Sequence, residues 1–268
     1  MIQEIAPHLY NNTWEDLSPG PDDSIIGFKG RQVCLKDEQS YFQYRDLPAG
    51  TDCTFLFRID GEAFFLAELP EDWGILLEVN KMRTFRPQSM AFAVLTALHI
   101  HDWLERNIYC GHCGAKLVPS TTERAMICPD CGNIIYPRID PAVIVAIVND
   151  KDELLVTRYA NRPATHYALV AGYTEIGETI EETVHREVME ETGLKVKDLL
   201  YYRSQPWAFS GSVLMGFWCR VDGSDLVRVD HSELADARWM SREELPDSQD
   251  HVALTHDMIR KFKNGFTF

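Results

Sequence analysis

The chain has 268 residues, 45% of them hydrophobic and 25% charged, enough to bury a large core in two domains plus a small accessory unit. Its formal net charge of −15 repels long polyanions and argues against broad, non-specific nucleic-acid binding. No apolar run approaches a transmembrane length and the start, MIQEIAPHLYNN, carries no signal-peptide core, so a cytoplasmic protein with no membrane partner is expected.

Residues 1–88 read as a β-rich N-terminal domain. Segments 24–36 (SIIGFKGRQVCLK) and 53–69 (CTFLFRIDGEAFFLAEL) carry apolar runs broken by Gly and Asp, with no catalytic pattern among them. Residues 89–107 have helical periodicity, and His99 and His101 on that helix read as packing or surface groups. The helix leads into residues 110–113 (CGHC), followed after fourteen residues by 128–131 (CPDC). Two such knuckles offer Cys110, Cys113, Cys128 and Cys131 as thiolates for one closed, tetrahedral, structural Zn²⁺ per chain. Disulfides are the competing reading; seven cysteines is an odd number, and a cytosolic chain keeps its thiols reduced. His112 is an alternative ligand, but it sits inside the knuckle and four Cys is the simpler set. Cys34, Cys53 and Cys219 lie in apolar stretches and read as inert core thiols. Residues 89–136 are thus expected to form a helix plus zinc ribbon.

Residues 137–268 alternate strands and helices. Segments 142–148 (AVIVAIV) and 153–159 (ELLVTRY) read as a hairpin around Asn149 to Asp152. Further strands are expected at 166–171, 212–221 and 237–240, and a terminal helix at 251–263, which makes a mixed α/β or α+β unit. Between them, residues 172–194 read GYTEIGETIEETVHREVMEETGL. Residues 179–191 contain no Gly or Pro and can form an uninterrupted helix. Glu187 and Glu191 then lie one turn apart on one face, with Glu190 beside them. Carboxylates crowded in this way repel unless a cation or basic side chain sits among them, and an oxygen-only cluster suits Mg²⁺ or Mn²⁺. Arg186 can orient one carboxylate, and the two glycines of residues 171–177 let backbone approach a metal or phosphate. The bland alternative is an amphipathic helix with a solvated acidic face. On either reading this face is expected to be solvent-lined without metal.

Gly172, Glu178, Arg186, Glu187, Glu190, Glu191 and Gly193 fill every fixed position of a pattern that resembles the Nudix box. That box is the metal-binding loop–helix–loop of hydrolases acting on nucleoside diphosphates linked to another moiety. Ten residues beyond it, residues 204–212 (SQPWAFSGS) resemble the SQPWPFPxS array of the NADH pyrophosphatase subfamily. The ribbon, the entry YPRIDP at 136–141, the box and the array occur in that subfamily's order, from about Arg83 onward. Ala208 and Ser210 stand where the array has proline, which removes φ restraint and is expected to loosen the segment.

The resemblance implies a Nudix α/β/α sandwich over residues 137–268. Two or three Mg²⁺ or Mn²⁺ ions would be held by the Ala171 carbonyl and by Glu187, Glu190, Glu191 and Glu233. Catalysis would fall to Glu178, Arg186, Glu187, Glu190 and Glu191. The dinucleotide would be bound by Arg83, Glu123, Tyr136, Gln205, Pro206, Trp207, Ala208, Phe209, Ser210, Gly211, Ser212 and Ala253. Tyr173 joins them as a stacking candidate because it adjoins the metal loop. The implied activity is hydrolysis of NADH and NAD⁺ to nicotinamide mononucleotide plus AMP, with removal of NAD caps from RNA 5′ ends, in a homodimer. Two rival readings are a Nudix enzyme for ADP-ribose or dinucleoside polyphosphates, and a non-catalytic nucleotide-sensing module.

Overall fold

The computed structural model describes all residues except 71, 161–166, 231–233 and 248–251. The chain divides into two units, residues 2–138 and residues 139–268, with Met1 counted in the second. Among the described residues, no helix is long and apolar enough to cross a membrane.

The first unit opens with β1 (Tyr10–Asn11), β2 (Ser24–Lys29), β3 (Gln32–Leu35), β4 (Phe42–Gln43), β5 (Thr54–Ile59), β6 (Glu62–Leu66) and β7 (Ile75–Glu78). Their order in the sheet is β1-β5-β6-β2-β3-β7, with β4 paired to β2. Ile25, Phe42, Phe55 and Phe65 meet in one core, so the apolar runs of the sequence are strands buried by their own sheet. The helix α1 (Gln88–Arg106) buries Ala91, Val94 and Leu98. His99 lies 2.9 Å from the Arg138 carbonyl and His101 stacks on Phe28, so both are packing groups. The ribbon follows as β8 (Val118–Pro119), β9 (Met126–Ile127) and β10 (Ile134–Ile135), an antiparallel sheet in the order β10-β9-β8.

The second unit contains β11 (Asp140–Val148), β12 (Leu154–Tyr159), β13 (Val170–Tyr173), α2 (Ile180–Thr192), β14 (Val196–Trp207), β15 (Ser212–Val221), β16 (Leu234–Met240) and α3 (Leu254–Lys263). The sheet order is β14-β15-β11-β12-β16, with β13 paired to β11. β11 runs parallel to β15 and antiparallel to β12 and β13, so the sheet is mixed. Alternate residues of β11 serve opposite layers. Val143, Val145 and Ile147 pack with Val184 and Val188 of α2. Ile144, Ala146 and Val148 pack with Leu254, Met258 and Phe262 of α3. A strand covered on both faces must be apolar throughout, which is why AVIVAIV has no alternation. The result is an α/β/α sandwich.

One element was not legible. The array expected as a loop is the end of β14, a strand that pairs with β15 from Val196↔Val221 to Trp207↔Ser212. Its register shifts between Lys197 and Leu200 and again between Tyr201 and Arg203, so bulges break the two-residue period by which a strand is read.

Candidate active site and metal centre

The box folds around Arg186. Thr179 caps α2: its hydroxyl accepts from the Glu182 amide at 3.2 Å, and the Glu182 carboxylate accepts from the Thr179 amide at 2.7 Å. Gly193, at φ 70°, ends the helix in the left-handed conformation that glycine adopts without strain. The guanidinium of Arg186 then finds an acceptor for each of its five N–H donors. Nε and Nη2 donate to the two Glu178 oxygens at 2.6 and 3.0 Å, Nη1 donates to Glu187 at 2.7 Å and Glu190 at 3.0 Å, and Nη2 also donates to the Tyr173 carbonyl at 2.8 Å. The Arg186 hydrogen bonds, with further bonds from the Glu175 amide and the Thr183 hydroxyl, hold the Glu178 carboxyl well below its ordinary range, at about 2. The Arg186 guanidinium is correspondingly pushed up, first by Glu178.

The acidic face is not solvent-lined, which corrects the sequence-based expectation. Glu187 and Glu191 are only 8% and 2% exposed, while the Glu190 side chain is 59% exposed. For Glu187 the cause is Gly172. A Cβ at that position would fall inside the Glu187 carboxylate, so glycine alone lets the β13 backbone close over the cluster. One guanidinium pairs with three carboxylates, Glu178, Glu187 and Glu190, while Glu191, one turn beyond Glu187 on α2, adds a fourth, buried carboxylate to the cluster. Buried carboxylates in such excess over positive charge are a donor set for hard divalent cations, so the residues fit the metal that the box implies. Ala171 lies beside them on β13, opposite Ile144 of β11. Glu233, the remaining implied ligand, lies outside the described residues.

Residues 204–212 form a hairpin tip in the same unit. Trp207 and Ser212 face one another across β14 and β15, and the Trp207 and Phe209 rings lie 4.9 Å apart at 55°. The Ser210 amide donates to the Trp207 carbonyl, and the Gly211 amide to the Ala208 carbonyl, each at 3.3 Å. Pro206 is exposed, while Ala208 is half-buried in the turn. Gln205 is wholly buried: its amide donates to the Val252 carbonyl at 2.6 Å and accepts from the Leu254 amide at 2.6 Å. Those bonds fasten the start of α3, whose N-cap is Ala253, to the array strand. The Gln205 side chain therefore ties the array strand to the start of α3, a role that sequence reading missed because nothing local marks its partner.

The zinc set lies in the first unit. The two knuckles repeat one hydrogen-bond pattern. The Gly114 and Gly132 amides donate to the Cys110 and Cys128 carbonyls at 2.8 and 3.0 Å, and the Cys110 and Cys128 amides donate to the Ala115 and Asn133 carbonyls at 2.8 and 2.9 Å. The four sulfurs all lie within 4.8 Å of one another, with Cys110 to Cys131 at 3.7 Å and Cys113 to Cys128 at 3.3 Å. Tetrahedral Zn–S bonds of about 2.3 Å place sulfurs roughly 3.8 Å apart, so the cage fits zinc, and its S···S distances are too long for disulfides. Of the other implied contacts, Arg83, Glu123 and Tyr136 belong to this first unit, where the Tyr136 hydroxyl donates to Glu123 at 3.1 Å.

A buried carboxylate cluster beneath a glycine, on a mixed sheet between two helices, defines a Nudix fold and site, and residues 138–262 match the NUDIX domain. The chain belongs to the Nudix hydrolase family, in the branch whose NADH pyrophosphatase zinc ribbon domain is matched here by residues 105–136. A Chromobacterium violaceum protein named NAD-capped RNA hydrolase NudC is 35% identical over 240 residues, covering 87% of this chain and 89% of its own length. An Escherichia coli protein of the same name is 46% identical over 149 residues, 56% of this chain and 57% of its own length. Among solved structures, a NUDIX hydrolase from Nitrosomonas europaea superposes with TM-score 0.50 at 22% identity, over 59% of this chain and 91% of its own, a likeness of fold alone.

Proposed function

We propose that this chain is a divalent-cation-dependent pyrophosphatase that cleaves NADH and NAD⁺ to nicotinamide mononucleotide and AMP and removes NAD caps from RNA 5′ ends. The reading rests on one observation above all: a buried, cation-seeking carboxylate cluster shares its unit with an aromatic hairpin tip of the NADH pyrophosphatase type. It agrees with the names of the two relatives.

In this mechanism Glu187, Glu190, Glu191 and the Ala171 carbonyl would hold two or three Mg²⁺ or Mn²⁺ ions, with Glu233 as a further ligand. When bound, those ions neutralise the diphosphate and lower the pKa of water. Arg186 keeps Glu187 and Glu190 in place, while Glu178 locks Arg186 from its other side. Glu190 or Glu191 takes the proton from the attacking water. Trp207 and Phe209 offer ring faces to a base or nicotinamide, and Tyr173, Pro206, Ala208, Ser210, Gly211, Ser212 and Ala253 complete the lining. Glu123, Tyr136 and Arg83 join the dinucleotide contacts. One Zn²⁺ on Cys110, Cys113, Cys128 and Cys131 is structural, because four thiolates leave no open position. We place the protein in the cytoplasm, where its free thiols persist, as a homodimer; sedimentation equilibrium reads that assembly.

The deciding experiment is a substrate panel with Mg²⁺ or Mn²⁺: NADH, NAD⁺, NAD-capped RNA, ADP-ribose and diadenosine polyphosphates. NADH or NAD-capped RNA is expected to give the highest kcat/KM. Preference for ADP-ribose would overturn the reading and favour the sibling activity that Ala208 and Ser210, in place of the array prolines, bring to mind. No turnover of any member would leave the nucleotide-sensing module.

A further inference from the structure

Tyr173 is fastened at both ends. Its carbonyl accepts from Arg186 Nη2 at 2.8 Å, which ties its backbone to the guanidinium that also holds Glu178, Glu187 and Glu190. Its neighbour Gly172 lies directly against the Glu187 carboxylate, so residues 172–173 ride on the acidic cluster. At the other end, Ser212 Oγ donates to the Tyr173 hydroxyl at 3.3 Å and lies 2.9 Å from Ser210 Oγ. Ser212 is buried, and its backbone lies opposite Trp207 at the root of the hairpin tip. A path of hydrogen bonds therefore runs Ser210–Ser212–Tyr173–Arg186, from the aromatic tip to the carboxylates. Ser210 occupies one of the positions where the array pattern has proline, so the tip is held by a hydroxyl chain instead of a ring-locked φ.

We propose that Tyr173 is a positioning residue whose hydroxyl, through Ser212 and Ser210, fixes the aromatic tip of residues 207–209 relative to the carboxylate cluster and so sets selectivity for dinucleotides that occupy both. The proposal rests on the NADH reading above. A strut of this kind acts only on a ligand that spans the two anchored ends, as NADH does with its nicotinamide on the tip and as ADP-ribose, which lacks that ring, does not. Losing it is equivalent to losing one cooperative hydrogen-bond unit, whichever link is removed.

The test uses the full chain with Tyr173→Phe, which keeps the ring and the carbonyl, together with Ser210→Ala and the double variant. Binding of NADH is followed by its own fluorescence with Ca²⁺, a hard cation for the same oxygen ligands, in place of Mg²⁺. Hydrolysis of NADH and ADP-ribose is measured with Mg²⁺. Each single variant is expected to weaken NADH binding about three- to tenfold, the scale of one hydrogen bond. KM for NADH should rise in step while kcat stays within about twofold, and the NADH to ADP-ribose selectivity should fall by the same factor. The double variant should be no worse than the weaker single. Effects that multiply, an unchanged selectivity, or equal losses on both substrates would overturn the strut. A wild type that neither binds nor cleaves NADH overturns the proposed function as well. A wild type that does both, with variants whose selectivity is unmoved, overturns the strut alone.

Discussion

Arg186 gathers the electrostatics of the site into one side chain, and that makes two residues near it testable. Glu191 is buried in the acidic cluster, so replacing it by Gln removes a ligand charge while keeping shape. Turnover of NADH by Glu191→Gln is expected to fall on the order of 10²-fold or more. The thermal shift on adding Mg²⁺ should shrink too; a cation at about 100 times its Kd stabilises by roughly 2.7 kcal/mol when its site is intact. Near-wild-type turnover in both Glu191→Gln and Glu187→Gln would sink the mechanism. Glu178 answers to pH. Its folded pKa, about 2, lies below the ordinary 4.5, chiefly through Arg186, so the unfolded state binds the proton more readily. The contribution is complete above about 4.5 and is lost as pH falls toward 2. Urea midpoints of wild type and Glu178→Gln should accordingly differ above the ordinary 4.5 and converge as pH falls toward about 2; a gap that persists there would disprove it. The one-turn spacing of Glu187 and Glu191 on α2 was legible because helix periodicity is written in sequence. The burial of Glu187 was not, since it depends on β13 closing over it at Gly172.

At the scale of elements, the hairpin tip separates what sequence pattern suggests from what backbone chemistry allows. Two proline positions are substituted, and they look equivalent in the sequence. They are not equivalent in the turn. The bond from the Ser210 amide to the Trp207 carbonyl makes Ala208 the second residue of a four-residue turn, where proline's fixed φ is favoured. Ser210 supplies that N–H, and proline there would delete it along with the hydroxyl that meets Ser212. Ala208→Pro is expected to stabilise the protein by about 0.4–1 kcal/mol and to lower KM for NADH. Ser210→Pro should do the reverse, and equal effects in thermal melts and kinetics would refute the assignment of the turn. The rest of the second unit was readable where burial imposes a pattern, as in the two-sided apolar run of β11 and the amphipathic α2. β14 was not, because its bulges hide the period and the burial of Gln205 is set by a helix start 49 residues away in sequence.

At the scale of the whole molecule, two units carry two unlike metal chemistries, and each can be removed without the other. Zinc on Cys110, Cys113, Cys128 and Cys131 would tie together residues 110–131, so its binding energy would be folding energy for the ribbon. Purified protein is expected to hold about one zinc per chain. Cys128→Ser should destabilise residues 2–138 in calorimetry while the Mg²⁺-dependent shift of residues 139–268 persists. Zinc-free protein with all four thiols reactive in the native state would refute the cage. The net charge of −15 governs the remaining prediction. A phosphate chain leaving the site meets an acidic protein, so the contact with capped RNA should be confined to its first nucleotides and to local groups at the site. Counterion release then limits the salt dependence: for single strands the slope of log affinity against log salt is about −0.7 per phosphate contact. With no more than about three contacts, the slope of kcat/KM for NAD-capped RNA, taken relative to NADH, should be shallower than roughly −2. Lengthening the RNA beyond a few nucleotides should leave it unchanged. A slope that steepens with RNA length would reveal a basic track that the overall charge argues against.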